Sequence, residues 1–172
     1  TTYADCPALD VICVPGGAGV GPLMEDTPTL AFIQRQAAQA RYITSVCTGS
    51  LVLGAAGLLK GKRATTHWAY HDLLKPLGAI AVKDRVVRDG NLLTGGGITA
   101  GIDFALVLAG ELYGTELAQL VQLQLEYAPA PPFHGGTPET SPAVVLEQAL
   151  LRVAPSLKAR EEIVERVAQG LA

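Results

Sequence analysis

Cys47 stands between an apolar, β-branched run, Tyr42-Ile43-Thr44-Ser45-Val46, and a run of small and aliphatic residues from Thr48 to Gly57. The first run has the composition of a buried strand and the second that of a helix, so the thiol falls on the turn between them. A free cysteine is often no more than a buried apolar residue. On a strand-to-helix turn it has a second reading, as a nucleophile. A residue squeezed there takes up a strained backbone, Gly49 relieves the crowding, and unpaired N–H groups at the helix start favour thiolate over thiol. The chemistry on offer is covalent catalysis by sulfur.

Two further loops could serve that sulfur. Pro15-Gly16-Gly17 follows the apolar run 10–14, and Gly95-Gly96-Gly97 follows the run 91–94. Gly16 and Gly17 could present backbone N–H groups, together with that of Thr48, to a developing negative charge. A strand-to-loop turn that simply needs glycine is the competing explanation. Ile98 and Thr99, just past the third loop, could wall the pocket for an apolar substrate tail. "GGAGVG" at 16–21 superficially suits a dinucleotide, but Pro22 and a late helix start spoil the strand–glycine–helix pattern that such a site requires.

The surrounding elements must bring these loops together. Strands are expected at 10–14, 42–46, 63–66, 80–82, 85–88 and 91–94, the last two joined by an Asp89-Gly90 hairpin turn. Helices are expected at 27–40 (Thr27 cap, Pro28 at the first position), 48–57, 99–113, 115–125, 142–152 and 156–170, with a short one in "AYHDLLKPLG". The Pro/Gly-rich run 127–142 reads as a packed surface loop. Apolar strands alternating with helices predict an α/β fold, a mostly parallel sheet with helices on both faces, organised as one domain over residues 1–172. In such sheets ligands bind beyond the carboxyl ends of the strands, where all three glycine loops lie.

Composition narrows the function. Of 172 residues, 49% are apolar and 17% charged, with a net charge of −3, which suits a globular domain and leaves no footprint for nucleic acid. Lys60, Lys62, Arg63, Lys75, Lys83, Arg85 and Arg88 are diluted by apolar residues and read as a solvated face. Cys6, Cys13 and Cys47 form no CxxC pair and have no zinc-type spacing with histidine. Neither a disulfide framework nor a structural metal is expected, and a reducing cytoplasm is. No apolar run is long enough for a membrane span.

"VICVPGG", "TSVCTGSLVLGAAGLLKGKRATTHW" and "LLTGGGITAGIDFALVL", in this order and spacing, resemble the ThiJ/PfpI superfamily, α/β domains like the class I glutamine amidotransferases. The likeness is nearest to the isocyanide-hydrating bacterial branch and continues through "QLQLEYAPAPPF". It implies a flavodoxin-like three-layer sandwich, a homodimer, no metal or organic cofactor, and hydration of isocyanides to N-substituted formamides. It also implies roles: Cys47 as nucleophile, Thr48 beside it with hydroxyl and amide facing the ligand, and Gly16 and Gly17 as the family's PGG loop.

The chain departs from the pattern in one respect. The family's acid/base carboxylate comes from a strand–helix turn that precedes all three of these motifs. The chain opens Thr1-Thr2-Tyr3, and its only methionine is Met24. The resemblance therefore implies an N-terminal strand–helix–strand portion of the same gene product, carried as a separate segment or cleaved off, whose absence would expose apolar edges and leave a gap.

Remaining side chains carry blander expectations. His67 is read as a structural histidine, Trp68 as a core or dimer contact, and His71 and His134 as surface residues. Asp103 is read as a carboxylate suited to its helix start. Superfamily peptidases place histidine after the cysteine, whereas Thr48 stands here, which excludes that activity. Ligand-sensing domains of AraC-type regulators share a "TTHW" stretch and form the alternative. The final helices are too short and too neutral for the DNA-binding module of such regulators. A redox or glyoxal-handling protein would use the same thiol.

Overall fold

The computed structural model describes residues 1–171. Its main sheet has the order β1-β2-β6-β5, built from β1 (Val11–Val14), β2 (Tyr42–Val46), β6 (Leu92–Gly95) and β5 (Val86–Asp89). β1, β2 and β6 run parallel, and β5 turns back antiparallel through Gly90, whose φ of 63° is the left-handed conformation this tight hairpin needs. A second, two-stranded parallel sheet pairs β3 (Arg63–Ala64) with β4 (Ile80–Ala81).

α2 (Thr27–Ala37) and α3 (Gly49–Ala55) pack on one face of the main sheet, and α1 (Val20–Leu23) and the C-terminal α6 (Ala143–Leu171) pack on α3. α4 (Ala100–Tyr113) lies across β6 and β2 on the other face, with α5 (Thr115–Gln124) packed on α4. Parallel strands buried between helix layers are the expected α/β sandwich. The main core gathers Ile12, Val14, Leu51, Val52, Leu53, Leu59, Leu74 and Val164 around α3, every residue of which is buried. A helix apolar on all sides must lie inside, and the Leu51-Val52-Leu53 run dictates this.

Several boundaries differ from expectation, each for a local reason. α2 is capped by Asp26, not Thr27: the Asp26 carboxylate accepts from the Thr29 N–H at 2.9 Å. The strand expected at 63–66 ends at Ala64, because Thr65 N–H donates to the Thr94 hydroxyl (2.9 Å) in place of a backbone carbonyl. The short helix is a 3-10 helix over Trp68–Leu74. A four-residue α1 forms around Pro22, although no helix was expected there. The two C-terminal helices are one, with Pro155 inside it. Proline removes one ladder bond, but Leu157, Val164, Val167 and Leu171 hold the following turns on the core.

Four of the seven basic residues are ion-paired on the surface, Lys62 with Asp89, Lys83 with Glu139, Arg85 with Asp103 and Arg88 with Glu111. This is the solvated face expected of them. Among the described residues no helix is long and apolar enough to cross a membrane.

Candidate active site

Cys47 has a φ of 58°, one of two non-glycine residues among those described with positive φ. Side chains rarely occupy this region, and a cysteine is held there only when its surroundings over-determine it. They do so from three sides. The Cys47 N–H donates to the carbonyls of Gly95 (3.0 Å) and Gly96 (2.7 Å). Its own carbonyl accepts from the hydroxyls of Thr66 (3.0 Å) and Ser50 (3.3 Å). On the third side, a Cβ on Gly49 would fall 1.9 Å from the Val14 carbonyl oxygen, and one on Gly16 would fall 2.7 Å from Thr48 N and 2.8 Å from Cys47 Cβ. Only glycine lets these backbones approach so closely.

The three glycine loops therefore meet at the cysteine turn. Cys47 itself is partly exposed, as a thiol that meets a substrate must be, and the first-turn N–H groups of α3 begin directly behind it. α3 is only two turns long, so the close amides matter more than a long helix dipole.

Two details differ from expectation. The Gly17 N–H is not free for an anion, because it donates to Thr48 Oγ1 at 3.2 Å. For the same reason the Thr48 hydroxyl faces the Pro15-Gly16-Gly17 loop and not a ligand, and Thr48 is buried. A hydroxyl beside an unpaired loop amide satisfies it before any substrate arrives.

A cleft of about 380 Å³ opens beside the turn. Its wall includes Thr66 and Gly96, which hold the Cys47 backbone, and Ile98 and Thr99, followed by His67 and Trp68. Cys47, Thr48, Gly16 and Gly17 do not line it; the cysteine turn adjoins the cleft through Thr66 and Gly96, and Gly16 and Gly17 adjoin Cys47 and Thr48. Ile98 is largely exposed, and Thr99 Oγ1 accepts from Arg85 at 3.2 Å. Asp103 takes the Arg85 guanidinium at 2.6 Å and the Tyr127 hydroxyl at 3.0 Å, so it anchors the cleft rim as well as starting α4.

Trp68, expected in the core or at a dimer contact, is a cleft wall residue. His67 is structural in part. Its Nδ1 accepts from the Ala69 N–H (3.3 Å), which caps the 3-10 helix. That bond leaves the proton of the neutral ring on Nε2. Burial first, and the Arg160 charge second, hold its pKa below the ordinary histidine value. His71 lines the same cleft, with a buried Nε2 that has no partner.

Arg160 was not foreseen at all. Its guanidinium donates to the Gly17 carbonyl at 2.8 Å and stacks 4.2 Å over the Tyr70 ring. No local signal could have revealed a partner 143 residues away along the chain.

No carboxylate is hydrogen-bonded to the Cys47 thiol among the described residues. Among those same residues no group of three His, Cys, Asp or Glu side chains could hold a metal ion.

An α/β sandwich with a cysteine in a positive-φ turn at the carboxyl ends of its parallel strands defines a class of thiol-bearing domains. Residues 1–111 match the DJ-1/PfpI family, and the chain belongs to that family. It is 77% identical over 171 residues to the isonitrile hydratase of Pseudomonas putida, covering 99% of this chain and 75% of that protein. The crystal structure of a ThiJ/PfpI family protein from Pseudomonas syringae superposes with a TM-score of 0.91 at 46% identity, over 94% of this chain and 68% of that one. An HTH-type transcriptional regulator of Pseudomonas aeruginosa is 34% identical over 125 residues, 72% of this chain but only 34% of the regulator.

Proposed function

We propose that the protein is an isocyanide hydratase in which Cys47 is the nucleophile. The observation that carries this reading is the 77% identity, over nearly the whole chain, to a curated isonitrile hydratase. The regulator likeness is far lower and confined to a third of that protein. The geometry of the cysteine turn supports the assignment of roles. The Cys47 thiolate adds to the terminal isocyanide carbon, which takes up a proton, giving a covalent thioimidate, R–N=CH–S–Cys47. Water adds to that carbon, and collapse of the adduct expels the thiolate and leaves R–NH–CHO. One water is consumed and the sulfur is regenerated.

The positive-φ turn and the clamped backbone fix the sulfur beside Thr66 and Gly96 of the cleft wall, so the thiol loses little freedom on attack. Ile98 and Thr99, on the cleft wall, take the substituent on nitrogen. Gly16, Gly17 and Thr48 act as the rigid support behind the sulfur. The proton transfers call for a general acid/base within reach of the sulfur.

The protein works as a homodimer in a reducing cytoplasm. The apolar side chains that α5 leaves in solvent and the free state of Cys6, Cys13 and Cys47 support those two statements. The test is turnover of a simple alkyl or aryl isocyanide to its formamide. Wild type should be active and Cys47→Ala should lose roughly a thousandfold or more in kcat. Equal rates in the two proteins would remove Cys47 from the mechanism, and an inert wild type would remove the hydratase reading.

A further inference from the structure

We propose that Arg160, on the C-terminal helix, is a positioning residue for the cysteine turn; the proposal rests on the hydratase reading only for its kinetic measurement. α6 lies wholly outside the segment matched to the family, residues 1–111, yet its side chain at 160 reaches the loop behind Cys47.

The connection has three links. Arg160 donates to the Gly17 carbonyl, and the Gly17 N–H donates to Thr48 Oγ1. Thr48 follows Cys47 directly, and Gly16 lies so near both that a Cβ on it would fall within 3 Å of Cys47 Cβ and Thr48 N. Gly17 has a φ of 139°, a conformation open to glycine alone, so it has no side chain to fix its orientation. External bonds on its N–H and its carbonyl do so, and the charge-assisted one from Arg160 is the stronger kind.

The surroundings of the guanidinium strengthen the assignment. Arg160 is only 8% exposed, yet among the described residues no carboxylate pairs with it. Its neighbours are a carbonyl and an aromatic face. A buried, unpaired cation is a poor device for stability, since an apolar side chain of similar volume would cost less to bury. Its stacking partner, Tyr70, is hydrogen-bonded to Ser156 one turn earlier on α6 and adjoins His67 on the cleft wall. One helix face thus holds the support loop and the cleft wall in fixed relation.

The test compares Arg160→Met, which keeps a long apolar side chain but neither charge nor donor, with Arg160→Lys, which keeps the charge. Thermal unfolding is measured for both. Arg160→Met should lose roughly 10- to 100-fold in kcat, with KM nearly unchanged and the protein still folded, the cost of a reacting group displaced by about an ångström. Arg160→Lys should recover part of that loss. Iodoacetamide labelling, read on the Cys47 peptide by mass spectrometry, should slow in the same order. This arm judges Arg160 even if no isocyanide is turned over. A wild-type labelling rate in Arg160→Met, or a loss that follows the unfolded fraction and is not relieved by lysine, overturns the proposal.

Discussion

The cysteine turn and the α5 surface are built on opposite terms. Around Cys47 nearly every backbone group is held, and glycines 16 and 49 allow contacts that any Cβ would forbid. On α5 no residue is buried, and Leu117, Leu120 and Leu123 face solvent, as do Val144, Leu150 and Leu151 on the first half of α6. Both regions are rich in apolar and small residues, so composition does not separate them. What separates them is whether the isolated chain supplies the partner. The turn is completed from within, whereas exposed apolar side chains in that number on a helix are the kind that another surface covers.

The sharpest way to break the comparison is at Gly49. A Cβ there would sit 1.9 Å from the Val14 carbonyl oxygen, a backbone atom that cannot swing aside. Gly49→Ala is expected to cost on the order of 3 kcal/mol. Denaturant unfolding checks this, and near-wild-type stability would show that β1 and the turn are not locked.

The next test sets two leucines against each other. Leu53, fully buried in α3, should cost about 2–5 kcal/mol as Leu53→Ala. Leu123, 77% exposed on α5, should cost under about 0.5 kcal/mol as Leu123→Ala. Leu123→Asp should instead shift the sedimentation profile toward smaller species if α5 joins two copies. Unchanged sedimentation in that variant would take α5 out of the dimer contact.

Much of the fold could be read from the chain because local signals agreed with one another. The β-branched run at 42–46, the Asp89-Gly90 turn and the uniformly apolar α3 each admit essentially one conformation, and each appears where expected. The meeting of the three glycine loops also followed, since parallel strands place their carboxyl ends on one edge. The details that escaped depend on distant atoms. Pro155 reads as a helix end until Leu157 and Val164 are seen packed on the core. The Thr48 hydroxyl looks outward until the Gly17 amide claims it. Arg160 is one more surface charge on an amphipathic helix until α6 is laid against Gly17 and Tyr70.

The smallest expected effect belongs to His67, at the border between the rigid turn and the open cleft. Its pKa is lowered, chiefly by burial and next by the Arg160 charge, from an ordinary value of 6.5. Below pH 6.5 the unfolded chain takes up a proton that the folded one refuses, so acid favours unfolding. The contribution is complete above the unfolded value and is lost as pH falls from 6.5 toward the folded pKa. The lowered carboxylates Glu25, Asp26, Asp89 and Glu139 act the same way but from ordinary values of 4.5 or 3.8, so a range above about pH 5 isolates the histidine. His67→Asn keeps an acceptor for the Ala69 N–H, as a good helix cap does, and removes the titration. The wild-type thermal midpoint should fall between pH 7.5 and 5.5 by more than that of the variant. Parallel slopes would mean that the imidazole is as free to protonate in the folded protein as in the unfolded chain, and that the wall of the cleft is looser than the turn it adjoins.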